Sequence, residues 1–264
     1  MNNIISVVIR NKNEADALEN VLSILSRLYF SEINEIVVVD NNSTDNSVEI
    51  AQKYNCKVIT IDNFSYGRAI NNGMQASNSK YVLLLSSHAI PVGSNFFKNT
   101  LVALKSAANI AGVRYINSIE NYKRAIQNNF EVTEPLKYGL MAGCCIVNRE
   151  IWEQHKFNEN LVFSEDKEWS DRVVKKGFKI LDINETFFYF IRRDQKSILN
   201  RYKNETIAEY QLSKKKFPSP IRSIASFFKK ILITNNTRYF KTLANDFSIL
   251  KTKFKIHEKL KNND

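Results

Sequence analysis

At 264 residues, with 44% hydrophobic and 25% charged side chains, the chain has the make-up of a globular protein with room for one large domain, or a domain and an appendage. Three cysteines, two of them adjacent (Cys144 and Cys145), exclude a disulfide framework and point to a reducing setting. The net charge of +11 is lopsided: residues 197–264 hold 15 Lys/Arg against five Asp/Glu, while residues 1–196 hold 23 against 22.

The first residues, MNNIISVVIRNKNE, run directly into a strand and show no basic start, apolar stretch and small-residue cleavage site, so a cytoplasmic location is expected. No apolar run reaches the roughly 18 residues that a membrane span needs. Along the chain, IISVVIR (4–10) reads as a β-branched strand, and Ala17, Leu18, Val21, Leu22 and Leu25 then recur at helical spacing. EIVVVD (35–40) is a second buried strand, followed by a helix with cap-type residues ahead of it, and CKVITI (56–61) is a third. The middle of SYGRAINNGMQASNS is helical and leads into the apolar run Tyr81–Leu85. Strand and helix thus alternate about three times in the first 90 residues, which predicts a parallel sheet with right-handed crossovers. The fourth strand is expected to stop at Ser86-Ser87-His88, with Pro91 forbidding its continuation.

Further on, a helix is predicted over 96–107 and a strand over 108–116, while 117–137 lacks a clear period and reads as a polar excursion. MAGCCIVNREIWEQH gives a strand and a short helix. Ser164 is expected to cap the helix EDKEWSDRVVKKG, whose acids come first, whose lysines come last and which Gly177 stops. FKILDI and TFFYFI are later strands, so the domain is expected to end near residue 195 and a basic helical tail to occupy 196–264.

Three polar strand ends, RNKNE (10–14), Asp40 with the NNSTD after it, and SSH (86–88), are predicted to open on the carboxyl edge of one sheet, where open α/β folds hold ligands. Each alone has a plainer reading: Asp40 as a helix cap, His88 as a hydrogen-bonded turn residue. Glu165 and Asp166 would suit a helix N-terminus electrostatically in any protein, and Trp169 with Val173 reads as a packed face. No glycine-rich phosphate loop, HExxH or CxxC is present, which excludes a P-loop enzyme, a dinucleotide fingerprint and an ordinary zinc site.

Four blocks now resemble a family. ISVVIRNKNEADALENVLSIL, IVVVDNNSTDNSVEIA, FSYGRAINNGMQASNSKYVLLLSSHAIP and FSEDKEWSDRVVKKGFKI fall in the order and spacing of family 2 glycosyltransferases with the GT-A fold, over about residues 4–190. The resemblance implies a Rossmann-like, mostly parallel central sheet flanked by helices, and transfer of a sugar from a nucleotide-diphosphate donor to a hydroxyl, usually with inversion. It implies that Asn13, Glu14 and Asp40 line the nucleoside pocket, with Arg10, Ser43 and Ser87 on the same strand ends, and that Arg68 and Asn71 face the donor. The ED of SEDKEW matches the family's acceptor-side acidic motif, which makes Asp166 the general base and Glu165 its understudy.

The chain departs from the family where most members carry an acidic DxD motif that holds a divalent cation. Here Ser86-Ser87-His88 stands in its place, as in a subgroup with an SxHxxP pattern. His88 is then either a ligand to Mn²⁺, with Mg²⁺ the poorer match, or a cation that with Arg68 stabilises the leaving diphosphate. PIRSIASFFKKILI (220–233) sets Ile221, Ile224, Phe228, Ile231 and Leu232 against Arg222, Lys229 and Lys230. That pattern fits a helix packed on its own domain or one lying on an anionic membrane surface. Taken with the resemblance, the tail points to peripheral attachment at the inner face of the cell membrane and to lipid-linked glycan or surface polysaccharide assembly. Nucleic acid is not an expected partner, because positive charge is not spread over the sheet. The rival readings are a sugar nucleotidyltransferase and a catalytically degenerate scaffold that binds membranes.

Overall fold

The computed structural model of the chain describes residues 5–107, 109–191, 194–213 and 215–261; the first residue of the predicted strand 4–10 and of the predicted strand 108–116 lie outside these. Two compact units are present, Met1–Ser213 and Lys214–Asp264.

The first unit opens with β1 (Ile5–Asn11), α1 (Ala15–Leu28), β2 (Ile33–Asp40), α2 (Ser47–Lys53), β3 (Lys57–Thr60), α3 (Tyr66–Ala76) and β4 (Tyr81–Ser86). β1 pairs in parallel with β2 on one side and β4 on the other, and β2 with β3. A strand covered on both faces reads as a continuous apolar run, which is why β1, β2 and β4 were legible. Successive residues of β1 feed opposite cores. Val7 and Ile9 pack with Leu18, Leu22 and Leu25 of α1, and Val8 packs with Ile70 and Met74 of α3.

After β4 come β5 (Ala89–Val92), α4 (Phe96–Lys105), β6 (Ile110–Tyr115), α5 (Ile119–Gln127), α6 (Pro135–Tyr138), β7 (Cys144–Asn148), α7 (Arg149–Gln154), α8 (Glu165–Val174), β8 (Lys179–Ile183), β9 (Thr186–Tyr189) and α9 (Gln195–Ser213). The main sheet has seven strands in the order β3-β2-β1-β4-β7-β6-β8. Within it β7 runs against both of its neighbours, and the remaining pairings are parallel. Trp169 and Val173 of α8 are buried in the same core as Trp152 and Met74.

Four expectations change. Pro91 does not end strand structure. It lies in β5, opposite Phe187 of β9 in a separate two-stranded antiparallel ribbon, where an edge position tolerates the missing N–H. The stretch 117–137 is not irregular but contains α5 and α6; Ser118 starts α5 by accepting a bond from Asn121 N at 3.2 Å. Ser164 makes no side-chain cap bond and sits in the left-handed region at φ 63°, while Gly177 does take the left-handed stop at φ 87°. Finally, α9 belongs to the first unit, so the division falls after Ser213 rather than near 195.

The second unit consists of α10 (Pro220–Lys229), a π-helical stretch Lys230–Asn235 and α11 (Asn236–Lys261). Pro220 occupies the first turn of α10, where its missing N–H costs nothing. Ile221, Ile224, Phe228, Ile231 and Leu232 are all exposed. Among the described residues no helix is long and apolar enough to cross a membrane.

Candidate active site

The parallel register puts Asn11 beside Asp40 and Arg10 beside Ser86, so the carboxyl ends of β1, β2 and β4 share one edge. A cavity of about 880 Å³ opens there. The strand ends supply Arg10, Glu14, Ser87 and His88 to its lining, and α8 supplies Glu165 and Asp166 from the other side.

α8 starts in the cavity wall because Ser164 turns the chain sharply, in a backbone region that costs a non-glycine residue about 1 kcal/mol or more. Glu165 follows, buried, with Arg10 Nη1 3.5 Å from its Oε1. Burial pushes the Glu165 carboxyl up to about 7; the Asp166 charge adds to the shift and Arg10 opposes it. Asp166 is held on both oxygens by main-chain amides: Ala142 N donates to Oδ2 at 2.8 Å and Lys167 N to Oδ1 at 2.8 Å. Burial raises its pKa as well, and those amide bonds with the charges of Lys167 and Arg10 hold the rise back. Each oxygen keeps a second lone pair for a proton arriving from the cavity. Arg10 also donates from Nη2 to Ala142 O at 2.9 Å and lies 5.6 Å from the Tyr66 ring centre, which ties the end of β1 to the loop that holds Asp166.

Across the cavity, His88 Nε2 is 3.1 Å from Glu14 Oε2. Its Nδ1 is 3.4 Å from Ser87 Oγ, and the rings of Tyr189 and Phe190 stand 6.4 and 6.0 Å from it. Among the described residues no three His, Cys, Asp or Glu side chains come together as a ready-made metal cluster. The donor set at this point is one imidazole and one carboxylate.

The other anticipated residues are off the lining. Asp40 is buried and accepts from Ser43 N (2.8 Å), Ser43 Oγ (2.6 Å) and Asn11 Nδ2 (3.3 Å). It therefore shapes the turn after β2 and does not cap α2, which begins at Ser47. Asn13 takes a left-handed φ of 51° and accepts from Thr44 N at 2.7 Å, while Ser43 Oγ accepts from Asn13 N at 2.8 Å. Arg68 pairs with Glu159 at 3.0 Å and donates to Asn63 O at 2.7 Å. Asn71 has its full complement of bonds, donating to Phe157 O and Glu159 Oε1 and accepting from Trp152 Nε1 and Phe157 N. All four hydrogen-bonding positions of its amide are thus taken up within the protein.

Other lining residues escaped the sequence reading. Phe64, Tyr66 and Phe163 form an aromatic chain, with centroids 5.0 and 5.5 Å apart in turn. Ser197, Asn200, Arg201, Asn204 and Glu205 of α9 also face the cavity. Their helical spacing was visible in the sequence but lay beyond the boundary drawn at 195.

The sheet order, its one reversed strand and an acidic pair facing polar strand ends across one cavity define a glycosyltransferase of the GT-A fold. The family model described as Glycosyl transferase family 2 matches residues 6–193, and the chain belongs to that family. Among solved structures it is similar to a mannosyltransferase from Pyrobaculum calidifontis, in complex with GDP-Man and Mn²⁺, at 14% identity and a TM-score of 0.64. That match covers 82% of this chain and 66% of the other, so the chain spans just under two thirds of that protein. It is also similar to glucosyl-3-phosphoglycerate synthase from Mycobacterium tuberculosis, in complex with Mn²⁺, UDP and glucosyl-3-phosphoglycerate. There the identity is 19%, the TM-score 0.60, and 83% of this chain and 82% of the other are covered. The same enzyme is also known with Mg²⁺ and UDP, at 18% identity and a TM-score of 0.58. No curated protein matches the chain.

Proposed function

We propose that the protein transfers a sugar from a nucleotide-diphosphate donor to a hydroxyl acceptor with inversion, and that Asp166 is the general base. The observation that carries this reading is Asp166 fixed by two amides at the cavity wall, opposite the ends of β1 and β4. The acceptor oxygen gives its proton to Asp166 as it attacks the anomeric carbon, and the diphosphate leaves on the far side. Arg10 compensates Glu165 beside the base, so the acidic pair does not repel itself out of register.

Glu14 and His88 fit a divalent cation as two neighbouring ligands. Their Nε2 and Oε2 stand 3.1 Å apart at the cavity wall and would hold the ion from the protein side. An imidazole in the set favours Mn²⁺ over Mg²⁺. Such an ion would supply positive charge to the leaving diphosphate, and donor oxygens and water would complete its shell. The Ser86, His88 and Pro91 pattern supports a place in the SxHxxP subgroup, in which a histidine stands where most members carry an acid.

The second unit attaches the enzyme to an anionic membrane surface. Its support is the exposed apolar face of α10 on a strongly basic segment, a pairing that suits a membrane interface. On that reading the protein works at the inner face of the membrane, on lipid-linked glycan or surface polysaccharide. The transferase reading is tested by incubating the protein with UDP- and GDP-sugars, Mn²⁺ and a glycoside panel. Release of nucleoside diphosphate with a new glycosidic product is expected. Formation of a sugar nucleotide from sugar phosphate and nucleoside triphosphate would overturn it in favour of a nucleotidyltransferase.

A further inference from the structure

α9 turns one polar stripe toward the cavity. Ser197, Asn200, Arg201, Asn204 and Glu205 follow the spacing i, i+3, i+4, i+7, i+8 and all line it, and the same face ends on the buried Ala208. A helix that only covered a core would turn apolar residues inward at this spacing. Here the residues that line the cavity are hydroxyl, amide and paired charge, with Ser197, Asn200 and Arg201 exposed at its mouth.

The two charges of the stripe cancel: Arg201 Nε donates to Glu205 Oε1 at 2.6 Å. Arg201 is further occupied by the Phe163 ring, whose centre lies 5.9 Å from its guanidinium carbon. Phe163 in turn meets Tyr66 edge to face at 5.5 Å, and Phe163 directly precedes the Ser164–Asp166 segment. The stripe therefore stands over an aromatic floor that leads to the base. Planar amides beside aromatic rings match a ring that carries several hydroxyls and apolar C–H faces. Within the stripe the one cation is already paired with Glu205, so a phosphate or carboxylate would find its charge partners elsewhere in the lining, at Lys137 or Lys167, and not on α9.

Resting on the transferase reading above, we infer that the α9 stripe with Phe163 is the acceptor subsite and that it takes an uncharged sugar residue of a glycan.

The test is saturation-transfer NMR on the full-length protein with UDP or GDP present. The probes are methyl glycosides of glucose, galactose and N-acetylglucosamine, with glucose 6-phosphate and glucuronate as charged counterparts. At least one neutral glycoside should bind and the charged ones should bind more weakly. The double variant Asn200→Ala/Asn204→Ala should weaken the neutral glycoside by about tenfold, from two lost hydrogen bonds, and leave nucleotide affinity unchanged. Asn200 is exposed, so Asn200→Ala alone serves as a variant that folds, with about a threefold effect. Preference for the charged sugars, failure of every neutral glycoside, or unchanged glycoside binding in both variants would overturn the assignment. Failure of nucleotide binding in the wild type would instead strike the transferase reading.

Discussion

His88 Nε2 and Glu14 Oε2 meet at 3.1 Å, joining the segment after β4 to the residue that precedes α1. If the pair holds a metal with the donor diphosphate, Mn²⁺ binding read by electron paramagnetic resonance in the presence of UDP should be lost in His88→Ala and weakened in Glu14→Gln. His88→Asp should restore part of it by supplying an oxygen ligand. Donor binding that ignores chelators, and that His88→Asp weakens more than His88→Ala, would show that His88 acts as a cation.

Asp166→Asn keeps the shape of the side chain but removes the base. Transfer should fall by at least about a hundredfold, with donor affinity and melting temperature near those of the wild type. Unchanged turnover would reduce Glu165 and Asp166 to helix-end electrostatics.

Glu165, with its carboxyl near 7, gives a signed pH effect. Between the ordinary carboxyl range and about 7 the folded protein binds more protons than the unfolded chain, so this group's contribution to stability is present at low pH and is lost as pH rises through about 7. Glu165→Gln removes that loss. The variant's melting temperature relative to wild type should therefore be higher at pH 8 than at pH 5. A difference that does not vary with pH would show that Arg10 keeps Glu165 charged throughout.

Asn71 is expected to matter for stability rather than for the donor. Asn71→Ala strands the Trp152 indole N–H and the Phe157 amide in the interior and should cost about 2–5 kcal/mol in denaturant unfolding. Nucleotide affinity of the protein that remains folded should be unchanged. A weaker nucleotide with unchanged stability would return Asn71 to the donor site.

Removing residues 214–264 leaves the compact unit Met1–Ser213. The shortened protein should no longer sediment with vesicles rich in anionic lipid, yet should keep donor binding. Co-sedimentation of both forms would remove the membrane role from the tail.

The parallel half of the fold was legible because strands buried on both faces are written as unbroken β-branched runs, as in β1 and β2. The helix that carries the acidic pair was legible from its acids-first, lysines-last order and from Gly177, which stops it, although Ser164 does not cap it. Much of the rest lay in relationships the linear chain does not display. Glu14 and His88 are 74 positions apart and meet only because β1 and β4 are sheet neighbours. Asn71 looked available until Trp152 and Phe157 folded onto it. α9 was missed because its inward face is polar, so no hydrophobic period announced that it belonged with the sheet.

Gly139 fixes how the base is mounted. A β-carbon there would stand 2.7 Å from Ser170 Cβ, too close to be accommodated. The loop it begins is stitched to α8 by Ser170 Oγ accepting from Leu140 N at 2.9 Å and by Asp166 accepting from Ala142 N at 2.8 Å. Loop and helix therefore make one stiff bracket around the proton acceptor. The polar stripe of α9 contributes none of these fastenings. Chemistry and choice of acceptor are thus carried on separate parts, and the exposed face of α9 can drift to new sugars over evolutionary time, or under a designer's hand, while the bracket stays as it is.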